Sequence, residues 1–309
     1  MEKMNFAVWN IDRAGAAANG KENSSNARIS RLLEKKDLDF IFLQEVPDPS
    51  RIQILSPSGN KWQEPTEDSE LKQVVCKCLY KDGLLHGVWI PRPGYHVGIL
   101  FLLTDNGRKN HLGFRSVESI TEDPIGMVCS IFHEGKPKDD LLRFIGYWNN
   151  PNENTAGRSD CKGLDNNNIK YLQSFLNFLD GLDNQTPPDC ILTGDTNVIV
   201  RTDHEKPGTL TKNGKFLEDY LEKNPKIKLS LIHGNADQCT LRSKSVKDKQ
   251  TEKPRWYRCD LLMASDVSRI SCVVFGNEED YMWAKDPSKD VENAGSDHRP
   301  LFFSFSYDV

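Results

Sequence analysis

Apolar residues in this chain gather in short blocks, and each block stops at a side chain able to handle metal or phosphate. Phe6-Ala7-Val8-Trp9 ends at Asn10-Ile11-Asp12, and Asp39-Phe40-Ile41-Phe42-Leu43 ends at Gln44-Glu45. Phe144-Ile145-Gly146 leads into Tyr147-Trp148-Asn149-Asn150, and Cys190-Ile191-Leu192-Thr193-Gly194 into Asp195-Thr196-Asn197. A fifth block, Leu301-Phe302-Phe303-Ser304-Phe305, follows Ser296-Asp297-His298. Blocks this short and apolar predict buried strands. Loops at strand ends are where a rigid scaffold presents reactive groups.

Further strands are predicted at 73–78, 95–102, 127–132, 142–148, 257–263 and 271–275. Helical spacing occurs twice. Ser24 or Ser25 as an N-cap opens a helix carrying Ile29, Leu32 and Leu33 on one face. Residues 168–180 place Ile169, Leu172, Phe175, Leu176 and Leu179 on one stripe, and Gly181 follows as a stop. That stripe reads as core packing. The polar, proline-marked residues 46–70 read as a long loop with one helical turn, and the charged stretch after 194 runs to about 230 without a predicted element. Strands outnumber helices, which predicts two sheets packed face to face with helices outside rather than an alternating parallel barrel.

No linker divides the 309 residues, and the candidate site segments run from Asn10 to His298, so a single domain over 1–309 is expected. With 37% hydrophobic and 28% charged residues the composition is that of a soluble globular chain. A net charge of −5 argues against gripping long nucleic acid through bulk charge and leaves room for a local basic groove. The biased stretch from Arg242 to Arg255 is rich in Lys and Arg and precedes Trp256-Tyr257-Arg258. It reads either as a solvated face or as a mobile basic loop whose aromatic edge stacks on a base. The eight cysteines are scattered with no paired CxxC motifs, which argues against a zinc site and for free thiols in a reducing compartment. No signal-peptide core and no run near ~20 apolar residues is present, so a cytosolic or nuclear protein with no membrane partner is expected. No unusual apolar stripe marks the surface, and a monomer is expected.

Taken singly, each polar motif has a plain reading. Gly194-Asp195-Thr196-Asn197 alone is a strand-to-turn cap, and Glu45 or Ser296-Asp297-His298 alone is a strand terminus. Joint occurrence changes this. Trp9-Asn10-Ile11-Asp12, Leu43-Gln44-Glu45-Val46, Gly194-Asp195-Thr196-Asn197, Arg258-Cys259-Asp260 and Ser296-Asp297-His298 together resemble the endonuclease/exonuclease/phosphatase (deoxyribonuclease-like) superfamily across residues 4 to 306.

The resemblance implies a four-layer α/β sandwich, two packed mainly antiparallel sheets flanked by helices, with the site at one edge of both sheets. It implies Mg2+-dependent phosphoester hydrolysis, with Mn2+ as a substitute. Glu45 would be the main magnesium ligand, and Asn10 and Asp12 would place the metal and its waters. Asp195 would orient and deprotonate the attacking water, and Asn197 would hold water or phosphate in line. His298, paired with Asp260, would be a cation donating to a phosphoryl oxygen. Asp297 would support a second metal position or the ligands of the first. Tyr147 matches the tyrosine of apurinic-endonuclease-like members, and either Asn150 or Asn152 fills the family's amide position. Arg258 and Trp256 are expected to bind substrate. The branch stays open between apurinic or retrotransposon endonucleases and tyrosyl-DNA phosphodiesterases. The expected activity is cleavage of phosphodiester bonds in nucleic acid, DNA before RNA, by endonucleolytic or end-processing attack. The alternatives are a phosphatase or phosphodiesterase on inositol phosphates or other small phosphoesters, and a catalytically dead binding scaffold. Neither a GxSxG elbow nor a correctly spaced P-loop is present.

Overall fold

The computed structural model describes residues 1–11, 22–57, 61–65, 77–120, 125–149, 158–161, 164, 169–182, 189–202, 210–224, 228–232, 241–247, 254–276 and 298–308. Asp12, Asn150, Asn152 and Asp297 lie outside the described residues, and of Trp256 only the backbone is described. In chain order the strands are β1 (Glu2–Asn10), β2 (Phe40–Pro47), β3 (Lys77–Lys81), β4 (Leu84–Pro91), β5 (Val97–Leu103), β6 (Leu112–Ile120), β7 (Ile125–His133) and β8 (Asp140–Trp148). They continue as β9 (Cys190–Asp195), β10 (Arg201–Thr202), β11 (Ser230–Leu231), β12 (Leu241–Lys247), β13 (Pro254–Arg258), β14 (Asp260–Ala264), β15 (Ile270–Phe275) and β16 (Leu301–Tyr307). The helices are α1 (Glu22–Leu33), α2 (Asp105–Lys109), α3 (Ile169–Gly181) and α4 (Lys212–Lys223).

Two mixed sheets pack face to face. One has the order β15-β16-β1-β2-β5-β4-β3, the other β11-β14-β9-β8-β7-β6. Each contains one parallel pair, β1 with β2 and β8 with β9, and the remaining pairs are antiparallel. A parallel pair needs a crossover, and α1 and α3 supply them on the two outer faces. The α/β sandwich of the sequence reading is therefore observed, and both parallel pairs finish at the same rim.

Between the sheets lies the main core. Phe6 stacks on Phe40, Phe144 and Phe303 at ring separations of 5.3, 5.7 and 4.9 Å. Offset stacking of this kind adds to the area these rings remove from water. Gly146 of β8 lets the Phe42 ring cross from the facing sheet; a Cβ there would lie 2.5 Å from it. The outer face of the β9 sheet packs Leu172, Phe175, Leu176 and Leu179 of α3 and Leu217 and Leu221 of α4. The other outer face packs Ile29 and Leu32 of α1.

Several elements depart from expectation. The first helix begins at Glu22, so Ser24 and Ser25 lie in its first turn, and Leu33 is exposed rather than core-facing. Strands β4 and β6 and helix α4 fall where none was predicted. The strand expected at 257–263 is two, β13 and β14, which part at Cys259 and join different sheets. The basic stretch is not simply a loop. Within it β12 and β13 pair antiparallel, and β13 also pairs with β10 in a small third sheet.

Candidate active site

Register brings the polar strand ends together. Asn10 of β1 stands beside Gln44 of β2, Trp148 of β8 beside Asp195 of β9, and Asp195 beside Asp260 of β14. Alternation then sorts the faces. Phe6, Val8 and Phe42 face the inter-sheet core, and so do Ile191 and Leu262, so Asn10, Gln44, Asp195 and Asp260 point into the same slot.

Two backbone devices fix this arrangement. In β2 the pairing with β5 slips between Leu43 and Val46, and Glu45 sits in the left-handed region at φ 59°. A bulge there re-aims a side chain, and it lets the Glu45 carboxylate reach Asn10 Nδ2 at 3.4 Å. In β9, Gly194 has φ 142°, and a Cβ would lie 1.9 Å from the Tyr147 carbonyl oxygen. Only glycine passes β8 that closely, and Asp195 follows directly.

Asn10 Nδ2 also donates to Asp195 Oδ2 at 2.9 Å, so one amide bridges two carboxylates. The Asn197 backbone N–H donates to Asp195 Oδ1 at 2.9 Å, and its side-chain Nδ2 donates to Asp195 Oδ2 at 3.1 Å and to the Asn149 carbonyl at 2.7 Å. Both side-chain N–H groups of Asn197 are thus engaged in bracing Asp195. Asn149 completes the brace by donating to the Thr196 and Tyr171 carbonyls. His298 places Nδ1 2.9 Å from Asp260 Oδ2 and Nε2 3.9 Å from Asp195 Oδ2. Its carbonyl accepts from Trp9 Nε1 at 2.9 Å. Asp195, Asp260 and His298 are all buried. Burial raises the Asp195 pKa well above the usual carboxylate range, with Asp260 adding and His298 and Asn10 opposing.

The donor set fits a hard divalent cation. Among the described residues, three carboxylates, Glu45, Asp195 and Asp260, meet one imidazole within this network. Gln44 lies fully buried next to Asn10, and neither carboxamide atom has a hydrogen-bond partner among the described residues. A buried amide in that state matches the water shell that magnesium keeps.

One of the expected site residues, Tyr147, stands on the other face of its sheet. Its ring lies 5.0 Å from Phe175 and 4.4 Å from Phe178 under α3, because Ile145 and Tyr147 share the helix-facing side of β8. Trp148 faces the slot instead. Arg258 is buried; it donates to the Ile232 carbonyl at 3.1 Å and lies over the Phe275 ring, contacts that join strands on the inter-sheet side. One rim residue escaped the sequence reading. Arg92, just past β4, sits 4.0 Å over the Tyr95 ring and 5.2 Å over Trp148. Its signal was the Pro91-Arg92-Pro93-Gly94 turn ahead of Tyr95.

No family profile and no curated protein matches the chain in sequence. Solved structures do match in shape. D. rerio TDP2 complexed with a single-strand DNA product aligns over 99% of this chain and 100% of its own, with a TM-score of 0.51 and 14% identity. A humanized D. rerio TDP2 aligns over 98% and 99%, at 0.50 and 14%. The human Nocturnin catalytic domain with a bound sulfate anion aligns over 99% and 95%, at 0.52 and 12%. At such identities these likenesses establish the fold.

Proposed function

We propose that this chain, which carries the deoxyribonuclease-like fold of the endonuclease/exonuclease/phosphatase superfamily, is a divalent-metal-dependent phosphodiesterase acting on nucleic acid. The observation that carries the reading is convergence. Asn10, Glu45, Asp195, Asp260 and His298, spread over nearly the whole chain, meet at one rim within hydrogen-bonding or ion-pairing reach.

Asp195 orients the attacking water and takes its proton. Asn10 and Asn197 hold that carboxylate in one orientation, which removes part of the entropic barrier to in-line attack. His298 presents Nε2 to a non-bridging phosphoryl oxygen, and Asp260 on Nδ1 favours the charged ring. Magnesium held by Glu45, with Asn10 and Asp12, would neutralise charge growing on the phosphate oxygens. Asn197 braces Asp195 through its side-chain nitrogen, and its amide oxygen remains to hold a water in line.

Two features favour nucleic acid over a small phosphoester. The β12–β13 ribbon, whose sequence includes Arg242, Lys244, Lys247 and Arg255, runs directly into the Asp260 strand through Arg258 and Cys259. The similarly folded TDP2 was seen with a single-strand DNA product. Purified protein is mixed with a plasmid, an abasic duplex, a 5′-tyrosyl oligonucleotide and an inositol phosphate, with Mg2+ or a chelator. Chelator-sensitive cleavage of one of the DNA substrates is expected. Cleavage of the inositol phosphate alone would transfer the site to small phosphoesters, and chelator-insensitive turnover would overturn the mechanism.

A further inference from the structure

Cys259 takes no part in the chemistry above, yet it occupies the same slot. One carboxylate oxygen of Asp195, Cys259 Sγ and a ring nitrogen of His298 all lie within 4.8 Å of one another, and all three residues are buried. The break between β13 and β14 falls at Cys259. Its carbonyl is pinned by Thr196 N at 3.1 Å and Thr196 Oγ1 at 2.8 Å, which fixes the residue beside Asp195.

We propose that Asp195, Cys259 and His298 form an inhibitory site for Zn2+, distinct from the magnesium position at Glu45. Zinc takes thiolate, imidazole and carboxylate donors in tetrahedral geometry, commonly three protein ligands and a water. Magnesium prefers oxygen donors and avoids sulfur, so the two ions divide the slot by chemistry. Tetrahedral bonds to these donors need ligand separations of about 3.3–3.6 Å. The His298 Nε2 to Asp195 separation is already 3.9 Å. Asp260 on Nδ1 leaves Nε2 as the ligand and supplies the carboxylate that zinc-bound histidines characteristically use to fix the ring. On binding, the Cys259 thiol proton passes to solvent and a zinc–sulfur bond forms, with no change of oxidation state.

Occupancy takes Asp195 from the water and His298 from the phosphate. That inhibitory consequence rests on the phosphodiesterase reading, whereas the binding site does not. Metal-free protein is therefore titrated with Co2+ as a spectroscopic stand-in, then with Zn2+ in competition. A thiolate-to-cobalt charge-transfer band saturating at one equivalent is expected, lost in both Cys259→Ser and His298→Ala. Zinc affinity should fall about tenfold or more in Cys259→Ser. Mg2+-supported hydrolysis by the wild type should be inhibited by Zn2+, and Cys259→Ser should keep basal activity while resisting zinc. Absence of the band in the wild type, or zinc affinity unchanged in Cys259→Ser and Cys259→Ala, would overturn the site. A band without hydrolysis of any substrate supports the zinc site and overturns the phosphodiesterase reading instead. Should the serine variant melt early, the alanine variant and the wild-type spectrum still decide.

Discussion

Asp260 Oδ2 meets His298 Nδ1 at 2.9 Å, and that pairing leaves the opposite ring nitrogen facing Asp195. The imidazole is thereby fixed in orientation before substrate arrives. His298→Ala is expected to lower kcat by about 10²–10³-fold with little change in KM. Asp260→Asn should lose less, because the ring stays in place but its charged form loses support. Steady-state kinetics with a cleavable DNA substrate check both.

Gln44 gives a test of metal fit that does not require turnover. Its carboxamide is buried without partners among the described residues, so replacement by an apolar side chain of similar shape removes a desolvation cost. Gln44→Met should leave stability in chelator unchanged or raised, while raising the Mg2+ concentration needed for half-maximal activity. Glu45→Gln should raise that concentration more, by about tenfold or greater. A large fall in Tm for Gln44→Met in chelator would show that the amide is already satisfied.

Stability of the metal-free protein should depend on pH through Asp195. Burial first, then Asp260, lifts its pKa from 3.8 to about 6. The folded state therefore holds this proton more tightly than the unfolded chain does. The contribution of Asp195 becomes less favourable as pH climbs from about 4 to about 6 and stays unfavourable above. Asp195→Asn should stabilise the apo protein at pH 7–8, and the gain should fade below about pH 4. Urea melts across that range, in chelator, read the effect directly.

Gly194→Ala should be among the most damaging small substitutions. The left-handed conformation alone costs about 1–3 kcal/mol, and the added methyl would press on the Tyr147 backbone. Both stability and activity should fall, since Asp195 hangs on the displaced strand.

Arg258 and Tyr147 supply the opposite contrast. Arg258→Met should destabilise the fold by about 1–3 kcal/mol through the orphaned Ile232 carbonyl, read as a lower Tm. Tyr147→Phe should keep kcat, because that ring packs against Phe175 and Phe178. A fall in kcat for the phenylalanine variant would return Tyr147 to the slot.

Much of this was legible from the chain because buried strands announce themselves as apolar blocks, and the reactive residues follow those blocks directly. Asn10, Glu45 and Asp195 are found that way. Parity was harder: Tyr147 and Trp148 are neighbours, and only the register of β8 shows which one faces inward. The break at Cys259 was also hidden, since residues 257–263 read as one strand and the basic stretch before them masked β13. Helix α4 hid for another reason. Its sequence KNGKFLEDYLEK is mostly polar, and its burial depends on Leu217 and Leu221 meeting the β9 sheet. The zinc-competent group was invisible to motif spacing because its three donors lie at 195, 259 and 298.

Strand β16 runs between β15 and β1, pairing Glu2 with Tyr307 through to Val8 with Leu301. That seam therefore joins segments about three hundred positions apart in the chain. His298 stands just ahead of β16 and its carbonyl accepts from Trp9 of β1, so the position of its imidazole is tied to this seam. Detaching β16 would thus unzip one edge of β1 and dislodge the His298 ring in the same event.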